Sequence, residues 1–400
     1  LFISLVVSLS TLWVMDRSVS KELDSARSEA SAMFDSLNYK PIAEKDNSAP
    51  ILDKTFKLLN EDKFPEWFYK IEETGFDPAS AEVREFLKGK SETLNLIKNV
   101  IKMPYHPEID FRKHIEEFPS GQHAGRLLSL DARLKAKDGE IGKSLDDINA
   151  IIRLAAHMGR VPVLIHALNS NGLYNKAIKA LEYVVGQHTL SSSEFEKYPL
   201  FNPENVRKSL NASLKMESAF LLYIITDYLR AGNFYKLGKE FEDIPSFITK
   251  PLLIIYRVFV SQHDIAYIRD LMQKLETIAL LPFPQAKKEM DALTINFRKK
   301  YRGGILSDIA FPGYLGFYKR TAKAEAYMAA ANTGRAAMQY RLKNGRYPIS
   351  IDEMIPQFIN AKPLDPFDGM PLKLKKLDNG IVIYSVGENG KDDSGGEDDI

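Results

Sequence analysis

Along most of its length this chain places apolar residues at the three- and four-residue spacing of amphipathic helices, broken by glycine and proline. Val19, Leu23, Ala26, Ala30 and Phe34 share one face, which predicts a helix over residues 16–38. The prolines and polar residues of NYKPIAEKDNSAP (38–50) predict a linker. Helical patterns resume in ILDKTFKLLNEDKFPEWFYKIEE and SAEVREFLKGKSETLNLIKNVIKM, the second with Ser80 as N-cap and Glu82 in its first turn. AGRLLSLDARLKAKDG stops at Gly139. SLDDINAIIRLAAHMG then carries a Leu145, Ile148, Ile151, Ile152, Ala155 stripe, with Ser144 read as its cap over Asp146 and Asp147. VPVLIHALNSNG and LYNKAIKALEYVVGQH follow, so short helices alternate with turns as in helical-hairpin repeats, without a clean period of about 34 residues.

Further on, Ser191 and Glu194 form a capping box, and a long helix is predicted over Asn205–Leu229. Its apolar run at 218–226 is bracketed by Glu217 and Asp227 and is too short to span a bilayer, so it reads as a central core helix. Helical blocks at 250–281 and in KKEMDALTINFRKKYRG precede GGILSDIAFPGYLGF (303–317), a connection expected to pack on the last helix. That helix, TAKAEAYMAAANTGRAAMQYRLKNG, gives way to the turn NGRYP (Asn344–Pro348) and the loop PLDPFDGMP (Pro363–Pro371). In the strand pattern beyond, Ile381, Ile383 and Ser385 alternate with Val382, Tyr384 and Val386, so both faces are β-rich. The fold class is therefore mainly α, with a helical-hairpin (repeat-like) body and a small C-terminal α+β module.

Composition narrows the function. Lysine and arginine number 54 against 53 acids, a balance that argues against a nucleic-acid binder. The absence of cysteine removes disulfides, thiolate catalysis and cysteine zinc sites. Residues 1–15, LFISLVVSLSTLWVM, carry no charge and would span about 22 Å as a helix, against about 30 Å for a bilayer core. With Trp13 close to Asp16 and Arg17, this stretch reads as the end of a transmembrane signal-anchor and predicts a membrane-attached protein. A signal-peptide core fits less well because no A-x-A-like site follows. The divisions are then an anchor remnant (1–15), a helical stalk and linker (16–50), an all-helical body (51–302) and the module (303–400).

The pieces NGRYP, LDPFDGMPL, IYSVG and GGEDDI occur in the order found in the globular domain of the major pseudopilins of type II secretion, which residues 320–400 therefore resemble. The chain departs from that family in having no GFTLIE-like motif directly ahead of the module's helix. LLSLDARLKAKDGEIGKSLDDINAIIRLA likewise resembles a stretch of helical bacterial envelope proteins. The pseudopilin resemblance implies a calcium ion held by the Val386 carbonyl, Asn389, Asp392, Asp393, Asp398 and Asp399. An oxygen-rich, glycine-containing tail suits that ion, which takes six to eight oxygen ligands. The two resemblances together imply a bacterial envelope location, inner-membrane anchored with the body extracytoplasmic.

No catalytic signature is present: the chain lacks G-x-S-x-G, a Walker loop, G-x-G-x-x-G after a strand, and H-E-x-x-H. His106, His114 and His123 sit at spacings that match no compact ligand motif, and His157 and His166 read as core or surface histidines. Asp365 and Asp368 read as turn-formers that accept backbone N–H bonds. The function expected is structural or interaction-based, with a protein partner and no enzyme activity. An envelope hydrolase built from residues distant in sequence, or an accessory component of a secretion or pilus system, stand as the alternatives.

Overall fold

The computed structural model describes residues 2–37, 42–73, 75–107, 109, 120–231, 256–300, 314–378, 380–396 and 399–400. Within these it is mainly helical, with one small antiparallel sheet near the C-terminus. The helices are α1 (Phe2–Leu37), α2 (Ala49–Glu61), α3 (Ala81–Gly89), α4 (Ser91–Val100), α5 (Gln122–Lys137) and α6 (Ile141–Arg160). They continue with α7 (Leu164–Gln187), α8 (Ser192–Phe195), α9 (Glu204–Ala231), α10 (Ser261–Ile278), α11 (Phe283–Lys300) and α12 (Tyr314–Asn344). Strands β1 (Lys373–Leu377) and β2 (Gly380–Tyr384) pair from Lys373–Tyr384 to Leu377–Gly380.

Three apolar cores organise these elements. The first gathers α2 to α8: Leu127 and Leu128 of α5, Leu145, Ile148 and Ile151 of α6, and Leu173, Ala177 and Val184 of α7 are all buried. Turns of a few residues join α5 to α6 and α6 to α7, so these helices lie side by side as successive hairpins. Gly139, at φ 79°, makes the first turn possible, because a side chain is strained there. The second core joins α1, α9, α10 and α11 to the start of α12. The third packs Ala336, Ala337 and Tyr340 of α12 against Ile351, Met354 and the sheet residues Leu374, Ile381 and Ile383.

Cap chemistry sets several boundaries. Ser80 Oγ accepts the Val83 N–H at 3.4 Å, and Ser191 with Glu194 closes a complete capping box. Ser144 does not cap α6. That helix begins at Ile141, and the buried Ser144 hydroxyl donates instead to the Ala132 carbonyl of α5 at 2.7 Å. In the block expected at 250–281, a single π turn at Tyr256–Val260 precedes α10, and residues 250–255 lie outside the described set.

The membrane-anchor expectation for residues 1–15 is corrected: among the described residues, no helix is long and apolar enough to cross a membrane. The apolar run is only part of α1, which continues without a break to Leu37 and becomes charged from Asp16 onward. The side chain of Trp13 lies outside those described.

The stretch expected as a stalk is built into the molecule. Val19, Leu23, Ala26, Ala30 and Phe34 are at most 1% exposed against α9 and α10. Ion pairs flank the stripe: Arg257 with Asp16 at 2.9 Å, Arg27 with Asp227 at 2.6 Å, and Arg269 with both Glu22 and Glu29. The end of the expected linker is also fixed. Asn47 Nδ2 donates to the His106 carbonyl at 2.8 Å, and Ser48 Oγ to the Pro104 carbonyl at 2.9 Å.

Removing the Leu23 side chain leaves a cavity at the α1–α9 seam, so Leu23→Ala is expected to lower stability by about 2–5 kcal/mol. Val14→Ala, at a position 58% exposed, should stay within about 0.5 kcal/mol. Urea midpoints measure both, and equal small shifts would show that α1 is not part of the cooperative unit.

Candidate functional site

The acidic tail is a closed loop. Ser385 N–H donates to the Ile400 carbonyl at 2.7 Å and Ile400 N–H returns to the Ser385 carbonyl at 2.9 Å, which brings residue 400 back to the end of β2. Between these points the chain turns at Gly387, Gly390 and Gly395, with φ of 66°, 67° and 79°. Gly395 lies over Tyr384 and Val382, so the loop covers the sheet face opposite α12. Burial, and then the hydrogen bond to Asp392, pushes the Tyr384 hydroxyl up to about 12.

The expected calcium ligands share this loop, but protein donors hold their oxygens. Asp392 Oδ1 accepts from Ser394 N–H and Tyr384 O–H, both at 3.0 Å, and Asp393 Oδ2 accepts from Asn389 Nδ2 at 2.9 Å. Asp399 accepts the Asp393 N–H at 3.4 Å and the Gly395 N–H at 2.6 Å. Val386 is buried at the loop's root, and Asp398 lies outside the described residues. Among the described residues no group of three or more His, Asp or Glu is placed to hold a metal ion.

Asp365 ties the preceding loop to this root. Only 1% exposed, its carboxylate accepts Phe367 N–H at 2.9 Å, Val386 N–H at 2.8 Å and Ser385 O–H at 2.8 Å. Asp368 accepts Met370 N–H at 2.7 Å beside Gly369, whose φ is 74°. Both aspartates are turn-formers, as their sequence context predicts, and Asp365 also bridges two chain segments.

The histidines do not converge. His157 Nε2 lies 3.0 Å from the Ile101 carbonyl and its ring stacks on Tyr105; burial lowers its pKa. Burial alone brings His166 down to about 4, which leaves it neutral. His123 rests on Phe64 and bonds Asn60, His106 sits at the 42–48 segment, and His114 is outside the described residues.

Four charges buried or half-buried in the body pair with one another. Lys98 reaches Asp131 at 2.5 Å and Asp147 at 2.7 Å, while Lys135 reaches the same two at 2.9 and 2.5 Å. This closed quartet locks α4, α5 and α6 together. Burial raises the Asp131 pKa but the two lysines outweigh it, whereas for the deeper Asp147 burial wins. Sequence patterns miss the quartet because Lys98 lies 33 residues before Asp131 and each member looks like a surface charge.

A concave feature not foreseen from the sequence is a cavity of about 500 Å³ between α7, α12 and β2. Leu181 and Val185 of α7, Tyr327 and Met338 of α12, and Ile381 and Ile383 of β2 form most of its apolar lining. Its acid, Glu182, is paired with Lys179 at 2.9 Å. No nucleophile–base pair opens into it; it is a groove suited to apolar side chains.

A half-buried carboxylate, Asp53 of α2, accepts the Tyr105 hydroxyl at 2.7 Å and is raised by burial to about 6. The folded state therefore holds this proton more tightly than the unfolded chain. The associated stability is complete below the unfolded pKa and is lost as pH rises from about 4 to 6. Asp53→Asn keeps an acceptor for Tyr105 and removes the ionisation, so it should stabilise the protein by roughly 1–3 kcal/mol at neutral pH. The gain should shrink to a few tenths near pH 4; a urea midpoint shift equal at both pH values would contradict the assignment. In comparisons with known proteins, no protein-family model matches this chain, and neither curated proteins nor solved structures give a significant match.

Proposed function

We propose that this chain is an interaction protein, in which the helical-hairpin body and the C-terminal α+β module together present a groove to a segment of a partner protein. The observation that carries this reading is the cavity between α7, α12 and β2: it is apolar and lacks converging catalytic groups. An enzyme site of the same size would be expected to hold titratable groups aimed at one point. The order of elements in 303–400, a long helix, an aspartate-anchored loop, a hairpin and an acidic loop, supports the pseudopilin-like reading of that module.

Selection of displayed random peptides against the whole chain tests the interaction reading. Gly334 lines the groove, and a Cβ built there meets only the Tyr198 hydroxyl, at 3.8 Å, so a larger side chain fills the groove without a backbone clash. Peptides that bind the native protein and are lost on Gly334→Phe support the reading. Enrichment of only groove-independent peptides would count against it.

The proposal extends to calcium as a stabiliser of the tail loop, with Asn389, Asp392, Asp393, Asp398, Asp399 and the Val386 carbonyl as ligands. It rests on the closure of the loop by Ser385 and Ile400, which holds the described members of that set on one short stretch of turns. Calcium at about a hundredfold excess over its dissociation constant should add about 2.7 kcal/mol of stability, seen as a higher unfolding temperature than in chelator. Asp399→Ala, which also loses two backbone caps, should be less stable in chelator and show no calcium increment. An unchanged unfolding temperature at millimolar calcium removes the ion from the account.

A further inference from the structure

A group of cations adjoins the groove at Lys179, beside Tyr327 of its lining. Helices α5 and α7 carry Arg126, Arg133, Lys176 and Lys179, the last paired with Glu182 of the groove. The first three bond to neutral oxygens: Arg126 to the Phe68 carbonyl at 3.2 Å, Arg133 to the Lys179 carbonyl at 3.1 Å, and Lys176 to Gln122 Oε1 at 2.7 Å. Among the described residues none of these three is hydrogen-bonded to, or within ion-pair distance of, a carboxylate. Arg133 is only 6% exposed, and its Nε has no acceptor. The contrast is with Lys98 and Lys135, each of which sits between two aspartates. Burial, and next the neighbouring Arg126 charge, lowers the Lys176 pKa, a penalty that an incoming anion relieves.

Lys179 and Tyr327 mark the seam between the two halves, with the ammonium 5.2 Å from the ring centre. On the apolar side, β2 pairs with β1 along one edge and, among the described residues, with no strand along the other. Gly380 to Ile383 of β2 line the groove, and an unpaired strand edge offers backbone donors and acceptors to an added strand. The groove wall is open at two of its glycines. A Cβ at Gly186 or Gly380, both in the groove wall, meets nothing within 4 Å.

We propose that this surface docks an extended segment of a protein partner in which acidic and apolar residues alternate. Its carboxylates meet the cations of α5 and α7, and its apolar side chains enter the groove beside β2. The inference rests on the interaction reading and supplies the partner's chemistry.

The probe is a fluorescein-labelled peptide of alternating glutamate and valine, titrated with the whole chain and followed by fluorescence anisotropy. A control peptide carries lysine in place of glutamate. Saturable binding of the acidic peptide alone is expected, weakened about tenfold or more by Lys176→Gln and by Gly334→Phe, and weakened by salt. Circular dichroism checks that the variants fold, and Gly186→Leu replaces Gly334→Phe if the latter does not. Equal binding of both peptides, or acidic binding untouched by the groove variant, would overturn the proposal. If random-peptide selection yields groove-dependent ligands that are not acidic, this inference fails while the interaction reading stands. Concentration-dependent dimerisation abolished by Gly334→Phe would assign the groove to a second copy and overturn it as well.

Discussion

The architecture depends on one helix having no solvent-facing side along much of its length. α12 meets all three cores in succession. Tyr314, Tyr318, Ala322 and Ala326 enter the core built with α1 and α9 to α11, Ala324 and Met328 enter that of the hairpin body, and Ala336, Ala337 and Tyr340 enter that of the sheet. A helix buried from several directions cannot carry a single apolar stripe, and large side chains all round would hold its neighbours too far apart. Alanine resolves the conflict, since it keeps high helix propensity while occupying little room. The glutamate that α12 buries, Glu325, is met by the guanidinium of Arg207 from α9, so the one acidic intrusion becomes a cross-link.

Charge burial follows three different solutions in the same molecule. Around Lys98 and Lys135, opposite charges neutralise each other pairwise, and removal of one partner would leave its neighbour stranded. Asp365 is held instead by two amides and a hydroxyl, which fixes its position without a counter-ion. Arg126, Arg133 and Lys176 of α5 and α7 bond instead to carbonyl and amide oxygens and, among the described residues, to no carboxylate.

Much of the helical layout was legible in the sequence because it is encoded locally. The Val19–Phe34 stripe, the caps at Ser80 and Ser191, and the turn chemistry of Asp365 and Asp368 each depend on residues close in the chain. Ser144 was misleading because a serine ahead of two acids reads as a cap, whereas its hydroxyl is taken by a carbonyl of the preceding helix. The first fifteen residues misled through their apolar content, which on a stretch this short falls below what a bilayer crossing requires. The groove was not legible at all. Its walls come from α7 and, more than a hundred residues later, from α12 and β2, and no single one of them announces a concavity.

The seating of α1 has a consequence for the order of events during synthesis. Its partners in the ion pairs lie 200 to 247 residues downstream, from Arg27–Asp227 to Glu22–Arg269. At translation rates of about 5–20 residues per second, α1 waits roughly 10 to 50 s before the helices that cover it emerge. Throughout that interval the face of Val19, Leu23, Ala26, Ala30 and Phe34 has no native cover. The hairpins of α5, α6 and α7, whose contacts are local, can close first and alone. The nascent chain therefore presents an uncovered amphipathic helix tethered to an already folded middle, a state in which holdase chaperones have an obvious substrate.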